Sequence, residues 1–145
     1  MTEALRAQVR ERAGRRCEYC GYPDLIRSGP FAVEHIQPRS AGGSDDLENT
    51  AWSCDHCNGH KAAATQAIDP VTGTMAPLYN PRRDVWKDHF LWSDDTLEII
   101  GKTPTGRATV ERLKLNREST VEARRLLEVW GMHPPQAEIR PIRRR

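Results

Sequence analysis

The 145-residue sequence contains no long apolar run and no recognisable export segment. A membrane-spanning helix needs about 18 or more apolar residues in succession, and no stretch approaches that length. Residues 1–17 are rich in charge and lack the apolar core of a secretory signal. Mean hydropathy is −0.72, and the 37% of hydrophobic residues suffice for one modest core. These features predict a polar cytoplasmic protein that has no membrane partner.

Positive charge is concentrated at the two ends of the chain. Residues 1–16 contain five Arg and two Glu, and residues 140–145 contain four Arg. The intervening residues, 17–139, have a net charge of −5, whereas the whole chain has +2. Because a nucleic-acid-binding protein needs cations along the phosphate backbone, the terminal arginines are candidate phosphate contacts. Terminal Arg clusters that only aid solubility are the alternative.

Cysteine is scarce, and all four cysteines occur in two Cys-x2-Cys pairs, Cys17/Cys20 and Cys54/Cys57. In a cytosolic protein such pairs are more often metal ligands than disulfides. Two pairs complete a tetrahedral zinc site with no open position, which makes the site structural. A redox role would need only one pair in a thioredoxin-like βαβ context, which the sequence lacks. We therefore predict one structural Zn²⁺ bound by all four cysteines.

The pattern of apolar residues predicts an α+β fold. Residues 2–13 predict a helix with Thr2 as its N-cap, residues 31–36 and 50–53 predict strands, and residues 58–66 predict a second helix. Residues 1–66 would thus form an N-terminal helix and a zinc-stapled core, and residues 67–145 an extension that ends in the basic tail 140–145. The extension is predicted to contain a linker over 69–81, a hairpin between 90–92 and 97–100, a helix over 106–116, and a last helix opened by the capping box Ser119-x-x-Glu122, with an inward stripe of Ala123, Leu126, Leu127 and Trp130.

Polar residues suited to hydrolysis lie between the cysteine pairs and just after the second pair. They are Glu34, His35, Asn49, Asn58, His60 and Lys61. Phosphodiester cleavage needs a base that accepts a proton near neutral pH, which suits an imidazole of ordinary pKa about 6.5. It also needs a hard cation with oxygen ligands to neutralise charge on the phosphate. Successive strand residues point to opposite faces, so Glu34 and His35 can share a site only where the strand ends.

These residues and their neighbours form one dense, ordered motif: Cys17-x2-Cys20 … Val33-Glu34-His35-Ile36-x-Pro38-x-Ser40-x-Gly42-Gly43 … Leu47-Glu48-Asn49 … Cys54-x2-Cys57-Asn58-x2-Lys61. This motif resembles the HNH endonuclease family over roughly residues 15–65. The resemblance implies a ββα-metal unit buttressed by the zinc knuckles. It also implies His35 as the general base and Asn49 as the loop residue that orients it. Glu34 and Asn58 are implied as ligands of one catalytic divalent metal, usually Mg²⁺, and Lys61 is implied to lie near a phosphate.

Two positions depart from the family pattern. The carboxylate before the histidine is commonly Asp and here is Glu34, and the position after the last cysteine is Asn58 rather than His. An amide oxygen suits Mg²⁺, so Asn58 is favoured as the further ligand. His60 is the alternative, and its nitrogen would shift the preference toward softer metals such as Ni²⁺. We expect Mg²⁺, with Mn²⁺ or Ni²⁺ as alternatives.

The sequence therefore predicts a metal-dependent endonuclease that nicks or cleaves double-stranded DNA. The alternatives are an RNA-directed nuclease with the same site and a zinc-knuckle nucleic-acid-binding module that has lost catalysis. A binding-only module has no need of an acid–base pair, which disfavours the last alternative. The candidate phosphate contacts are Lys61, Arg39, Arg15, Arg16, Arg143 and Arg144. The choice between monomer and homodimer stays open.

Overall fold

The structure is a computed structural model, and it describes residues 2–26 and 30–135. Helices and strands alternate along this part of the chain. In order they are α1 (Glu3–Arg12), β1 (Phe31–His35), β2 (Thr50–Cys54), α2 (Asp55–Lys61), β3 (Gln66–Ile68), β4 (Met75–Pro77), α3 (Trp86–His89), β5 (Phe90–Trp92), β6 (Ile99–Gly101), α4 (Pro104–Leu113) and α5 (Glu118–Val129). This mixture confirms the predicted α+β class. No helix in the described part of the chain is long and apolar enough to span a membrane.

The centre of the molecule is a hairpin followed directly by a helix. β1 and β2 pair antiparallel, with Glu34 opposite Ala51 and His35 opposite Thr50. Every residue of β2 is buried, since α1 and α2 both pack against this strand. Both predicted strands are confirmed, and so is the first helix, in which Thr2 accepts the N–H of Leu5 at 3.1 Å.

α2 begins three residues before its predicted start. The Sγ atom of Cys54 accepts the N–H of Cys57 at 3.4 Å and so caps the helix. A thiolate is an unusual cap, which is why helix propensity alone did not locate this end. Beyond Lys61 the chain turns at Ala62, whose φ is 49°, so the helix ends before the predicted residue 66.

The four cysteines form one buried cluster at the junction of these elements. Their Sγ atoms all lie within 4.8 Å of one another, and those of Cys20 and Cys54 are 3.8 Å apart. Four thiolates at about 2.3 Å from one zinc ion would be separated by about 3.8 Å in a tetrahedron. The first pair follows α1 and the second pair joins β2 to α2, so an ion here would connect the N-terminal helix to the hairpin. The cluster fits the predicted zinc site.

The extension adds two small hairpins to this core. β3 pairs with β4 and β5 pairs with β6, both antiparallel, and α4 packs against α2 and both hairpins. The β5–β6 hairpin confirms the prediction, whereas β4 lies inside the predicted linker over 69–81, which is therefore wrong. Asp69 is fully buried in the turn between β3 and β4, where it accepts two hydrogen bonds of 2.9 Å from Arg107 of α4. This tertiary contact stabilises a hairpin in a segment whose proline and glycine content had predicted a linker.

α5 is rotated relative to its predicted orientation. Its N-cap is Arg117, without a side-chain cap bond, so the Ser119 capping box is wrong. Its buried residues are Thr120, Arg124 and Leu127, at helical spacing. Arg124 donates to the carbonyl oxygens of Leu97 and Leu115, both at 2.8 Å. These bonds orient the side of α5 that carries Arg124 toward the interior. As a result, two residues of the predicted stripe lie outside the core: Leu126 is 65% and Trp130 78% exposed.

Removal of the metal should unfold the core. Structural zinc contributes folding free energy directly, so chelation is expected to lower the thermal midpoint by roughly 10 °C or more. Calorimetry or circular dichroism before and after chelation measures this, and re-addition of zinc is the control that restores the midpoint. Metal analysis should find one zinc per chain in the wild type and less in Cys54→Ala. An unchanged midpoint after complete chelation would contradict the zinc assignment.

Candidate active site

β1 ends at the two residues predicted to carry the chemistry. The side chain of Glu34 is buried, whereas His35 is half-buried at the last position of the strand. Glu34 contacts Lys61 of α2, and the ring of His35 contacts the loop that follows the strand. The two side chains therefore have separate sets of partners, as the alternation along a strand requires.

Glu34 is held between Tyr19 and Lys61. The hydroxyl of Tyr19 donates to Oε1 at 2.7 Å, and Nζ of Lys61 lies 2.6 Å from Oε2. Burial raises the pKa of Glu34, and the ammonium of Lys61 opposes that rise. Lys61 directs a hydrogen bond to the carbonyl oxygen of Ile36 at 3.1 Å, so its contact with Oε2 is an ion pair without good hydrogen-bond geometry. Oε2 is thus buried and engaged by this ion pair, although it accepts no hydrogen bond of good geometry within the described residues.

The imidazole of His35 is held by Asp45, which the sequence analysis missed. Nε2 of His35 lies 2.7 Å from Oδ1 of Asp45, and Nε of Arg39 contacts the same oxygen at 2.9 Å. Hydrogen bonds from His35 and Arg39 lower the pKa of Asp45, which keeps this carboxylate ionised. An ionised carboxylate only accepts hydrogen bonds, so Nε2 donates to it, and in the neutral ring the lone pair is on Nδ1. A sequence signal existed in the acidic pair Asp45-Asp46, in the loop that returns from β1 to β2.

Asn49 clamps the loop after His35 and does not contact the ring. Its Oδ1 accepts the N–H of Gln37 at 2.9 Å, and its Nδ2 donates to the carbonyl oxygens of Gln37 at 3.0 Å and Ser44 at 2.8 Å. The loop also packs tightly at Gly43, where a Cβ atom would lie 1.8 Å from the carbonyl oxygen of Gln37. This loop carries both Arg39 and Asp45. Asn49 therefore affects His35 indirectly, because it holds the loop whose Asp45 contacts the ring.

The two predicted alternatives for the further ligand lie in different surroundings on α2. Asn58 is half-buried, and its side chain has no hydrogen bond within the described part of the chain. His60 is exposed, and its pKa is lowered by partial desolvation and then by the nearby charges of Arg117, Lys114 and Arg112. Those three cations disfavour a divalent cation at His60. The surroundings therefore favour Asn58.

Only the four cysteines form a cluster of three or more His, Cys, Asp or Glu ligand atoms among the described residues. A second metal ion would therefore be bound by fewer than three such groups, with an amide oxygen or water in the remaining positions. The donor set of one carboxylate, one amide and water suits a hard cation such as Mg²⁺. The amide of Asn58, which has no hydrogen bond within the described residues, fits this role, whereas a cation at Oε2 of Glu34 would have to displace the ammonium of Lys61 from its 2.6 Å contact.

The predicted phosphate-binding cations in the described residues already have partners. Lys61 pairs with Glu34, Arg39 with Asp45 and Arg15 with Glu11, and Arg16 donates to the carbonyl oxygens of Gly21 and Met132. Three of these four cations are therefore paired with carboxylates, which weakens their attraction for a phosphate. Arg143 and Arg144, with the predicted tail 140–145, lie outside the described residues.

A polar cleft of about 320 Å³ lies between the core and the extension. The core contributes Ile36, Gln37, Asn49 and Lys61, and the extension contributes Asn80, Arg83, Asp84, His89 and Thr105 among others. His89 is fixed by a 2.7 Å hydrogen bond between Nδ1 and the hydroxyl of Thr103. The cleft adjoins the candidate catalytic residues through Asn49 and Lys61, while Glu34, His35, Asp45 and Asn58 are not among the residues that line it. No sequence motif in the extension indicates a ligand, so its part in the cleft was not predicted.

Comparison with protein-family models matches residues 17–63 to the family described as HNH endonuclease. No match was found among the curated proteins or the solved structures. The matched segment contains both cysteine pairs, β1 and α2, which carry His35 and Asn58, and the segment before β2 that ends at Asn49. The family match indicates a nuclease, and the resemblance to the HNH endonuclease family is confirmed over residues 17–63, about a third of the chain.

Proposed function

We propose that this chain is a metal-dependent endonuclease that hydrolyses phosphodiester bonds of double-stranded DNA, with His35 as the general base. One observation carries the proposal: the ring of His35 is bonded through Nε2 to ionised Asp45, which leaves Nδ1 free to accept a proton. An oriented imidazole of this kind serves as a base near neutral pH. The family match over residues 17–63 supports nucleic acid as the substrate class.

In this proposal Asp45 orients His35, and Asn49 holds the loop that brings the two together. The ionised carboxylate fixes the ring's tautomer and stabilises the imidazolium that forms when Nδ1 accepts the proton of the attacking water. Arg39 keeps Asp45 ionised and in place through its contact with the same oxygen. Because Asn49 bonds the backbone on both sides of Arg39, its replacement would loosen the whole arrangement.

Glu34 and Asn58 would hold one divalent cation, for which we propose Mg²⁺. When bound, such a cation neutralises charge on the scissile phosphate and on the departing oxygen. Glu34 would provide Oε2, and the cation would take the place of the ammonium of Lys61, which lies 2.6 Å from that oxygen. The hydroxyl of Tyr19 donates a hydrogen bond to Oε1 of Glu34, which also fixes the orientation of Oε2. Lys61 balances the negative charge of Glu34 and opposes the rise in the pKa of Glu34 that burial causes.

His35→Ala should abolish cleavage while it preserves the fold, because the side chain is half-buried at a strand end and its ring bonds to the exposed Asp45 of the following loop. Removal of a general base typically lowers the rate by about 10²–10⁴-fold. The measurement is nicking of supercoiled plasmid in Mg²⁺, Mn²⁺ and Ni²⁺, with an RNA substrate in parallel and Arg125→Ala as an exposed control. A loss of less than about tenfold would show that His35 is not the base. DNA binding by the wild type without nicking in any metal would favour the inactive binding module.

Asp45→Ala should lower kcat by about tenfold to a hundredfold with KM nearly unchanged, as expected when a hydrogen bond to a charged group is lost. Asp46→Ala is the matched control, since Asp46 is the neighbouring exposed carboxylate and does not contact His35. Asp45→Asn keeps an acceptor oxygen and should recover part of the rate. Equal rates in Asp45→Ala and Asp46→Ala would rule out the positioning role.

A further inference from the structure

Arg83 is the exposed cation on the extension wall of the cleft. It lines the cleft opposite Asn49 and Lys61 of the core. Its guanidinium forms no hydrogen bond or ion pair within residues 2–26 and 30–135. An arginine in this condition retains its full charge and all five of its donors for a ligand.

The backbone that carries Arg83 is held in place by side-chain hydrogen bonds. Oδ1 of Asn80 accepts the N–H groups of Arg82 at 2.8 Å and Arg83 at 3.2 Å, and Oδ2 of Asp84 accepts the N–H of Asn80 at 2.9 Å. The turn is attached to α4 as well, because the N–H of Tyr79 donates to the hydroxyl of Thr109 at 2.9 Å. The backbone of Arg83 is therefore held in place, while its guanidinium can contact a ligand.

The two consecutive arginines of this turn, Arg82 and Arg83, lie in different surroundings. Arg82 is mostly buried, pairs with Glu18 and also donates to the carbonyl oxygen of Thr50 on β2. It joins the extension to the core, whereas Arg83 faces the cleft. This division assigns a structural task to Arg82 and leaves Arg83 without one.

Two of the other charged groups that line the cleft already have partners. Lys61 pairs with Glu34, and Oδ2 of Asp84 accepts the backbone N–H of Asn80 at 2.9 Å. Among the described residues that line the cleft, Arg83 is therefore the cation left to contact an anion. A cation at the wall of a cleft attracts phosphate, and the planar guanidinium can bind two phosphate oxygens at once. The positions of such arginine–phosphate contacts are set by the spacing of the phosphates along the DNA strand.

We propose that Arg83 binds a backbone phosphate of the DNA strand that lies in the cleft, so that the extension supplies a substrate contact. This inference rests on the proposed nuclease function. It assigns to the extension a role that the terminal arginines were expected to fill. It also means that the matched segment 17–63 alone lacks part of the substrate site.

The test is the salt dependence of duplex binding by Arg83→Gln. Binding of a fluorescein-labelled duplex of about 20 base pairs is followed by anisotropy from about 50 to about 300 mM KCl, with zinc-loaded protein and no Mg²⁺. Loss of one phosphate contact should reduce the slope of log K against log[salt] by about 0.9 and weaken binding about tenfold. Arg83→Lys should keep the slope, because it keeps the charge. Arg125→Gln on α5 is the control and should change neither quantity.

A wild-type slope in Arg83→Gln overturns the assignment and leaves the proposed nuclease standing. A wild-type protein that binds no duplex overturns it as well, and the plasmid nicking assay then shows whether the proposed function falls with it. An equal change in Arg125→Gln would mean that the effect is one of net charge, which also contradicts a specific contact at Arg83.

Discussion

The cluster of four buried thiols is the constraint on which the rest of the structure depends. It joins the segment after α1 to the junction of β2 and α2, two parts of the chain more than thirty residues apart. Because β1 pairs with β2, a fixed β2 also fixes the register that places Glu34 opposite Ala51. Four thiols at almost no exposure would be costly to ionise without a cation, so a bound metal ion is what would turn the cluster into a cross-link between these segments.

Tyr19 connects this structural cluster to the candidate catalytic centre. It lies between Cys17 and Cys20, and its hydroxyl donates to the carboxylate of Glu34. The buried pair of Glu34 and Lys61 is weak evidence for stability, since desolvation offsets most of the attraction between buried charges. Its value is better explained by the proposed function: it holds a carboxylate inside the protein, and the cysteine pair on either side of Tyr19 fixes the orientation of that carboxylate.

Local patterns in the sequence predicted the parts of this molecule that depend on local interactions. The Cys-x2-Cys spacing, the Thr2 N-cap and the strand that ends at His35 are of this kind. Asp45 and Arg83 were missed because their importance depends on the paths of loops, which bring them to His35 and to the cleft. Periodicity also misplaced α5, since a pattern of apolar residues does not reveal that Arg124 is buried and satisfied by backbone carbonyls.

The account assigns two metal sites to one chain, and counting metal ions in solution tests this assignment most directly. Zinc-loaded protein is titrated with Mn²⁺, and free Mn²⁺ is followed by electron paramagnetic resonance. The account predicts one Mn²⁺ per chain in addition to the zinc, with affinity reduced about tenfold or more in Glu34→Gln and the zinc content unchanged. Zinc-loaded wild type without a Mn²⁺ site, or Glu34→Gln with wild-type affinity, would contradict it.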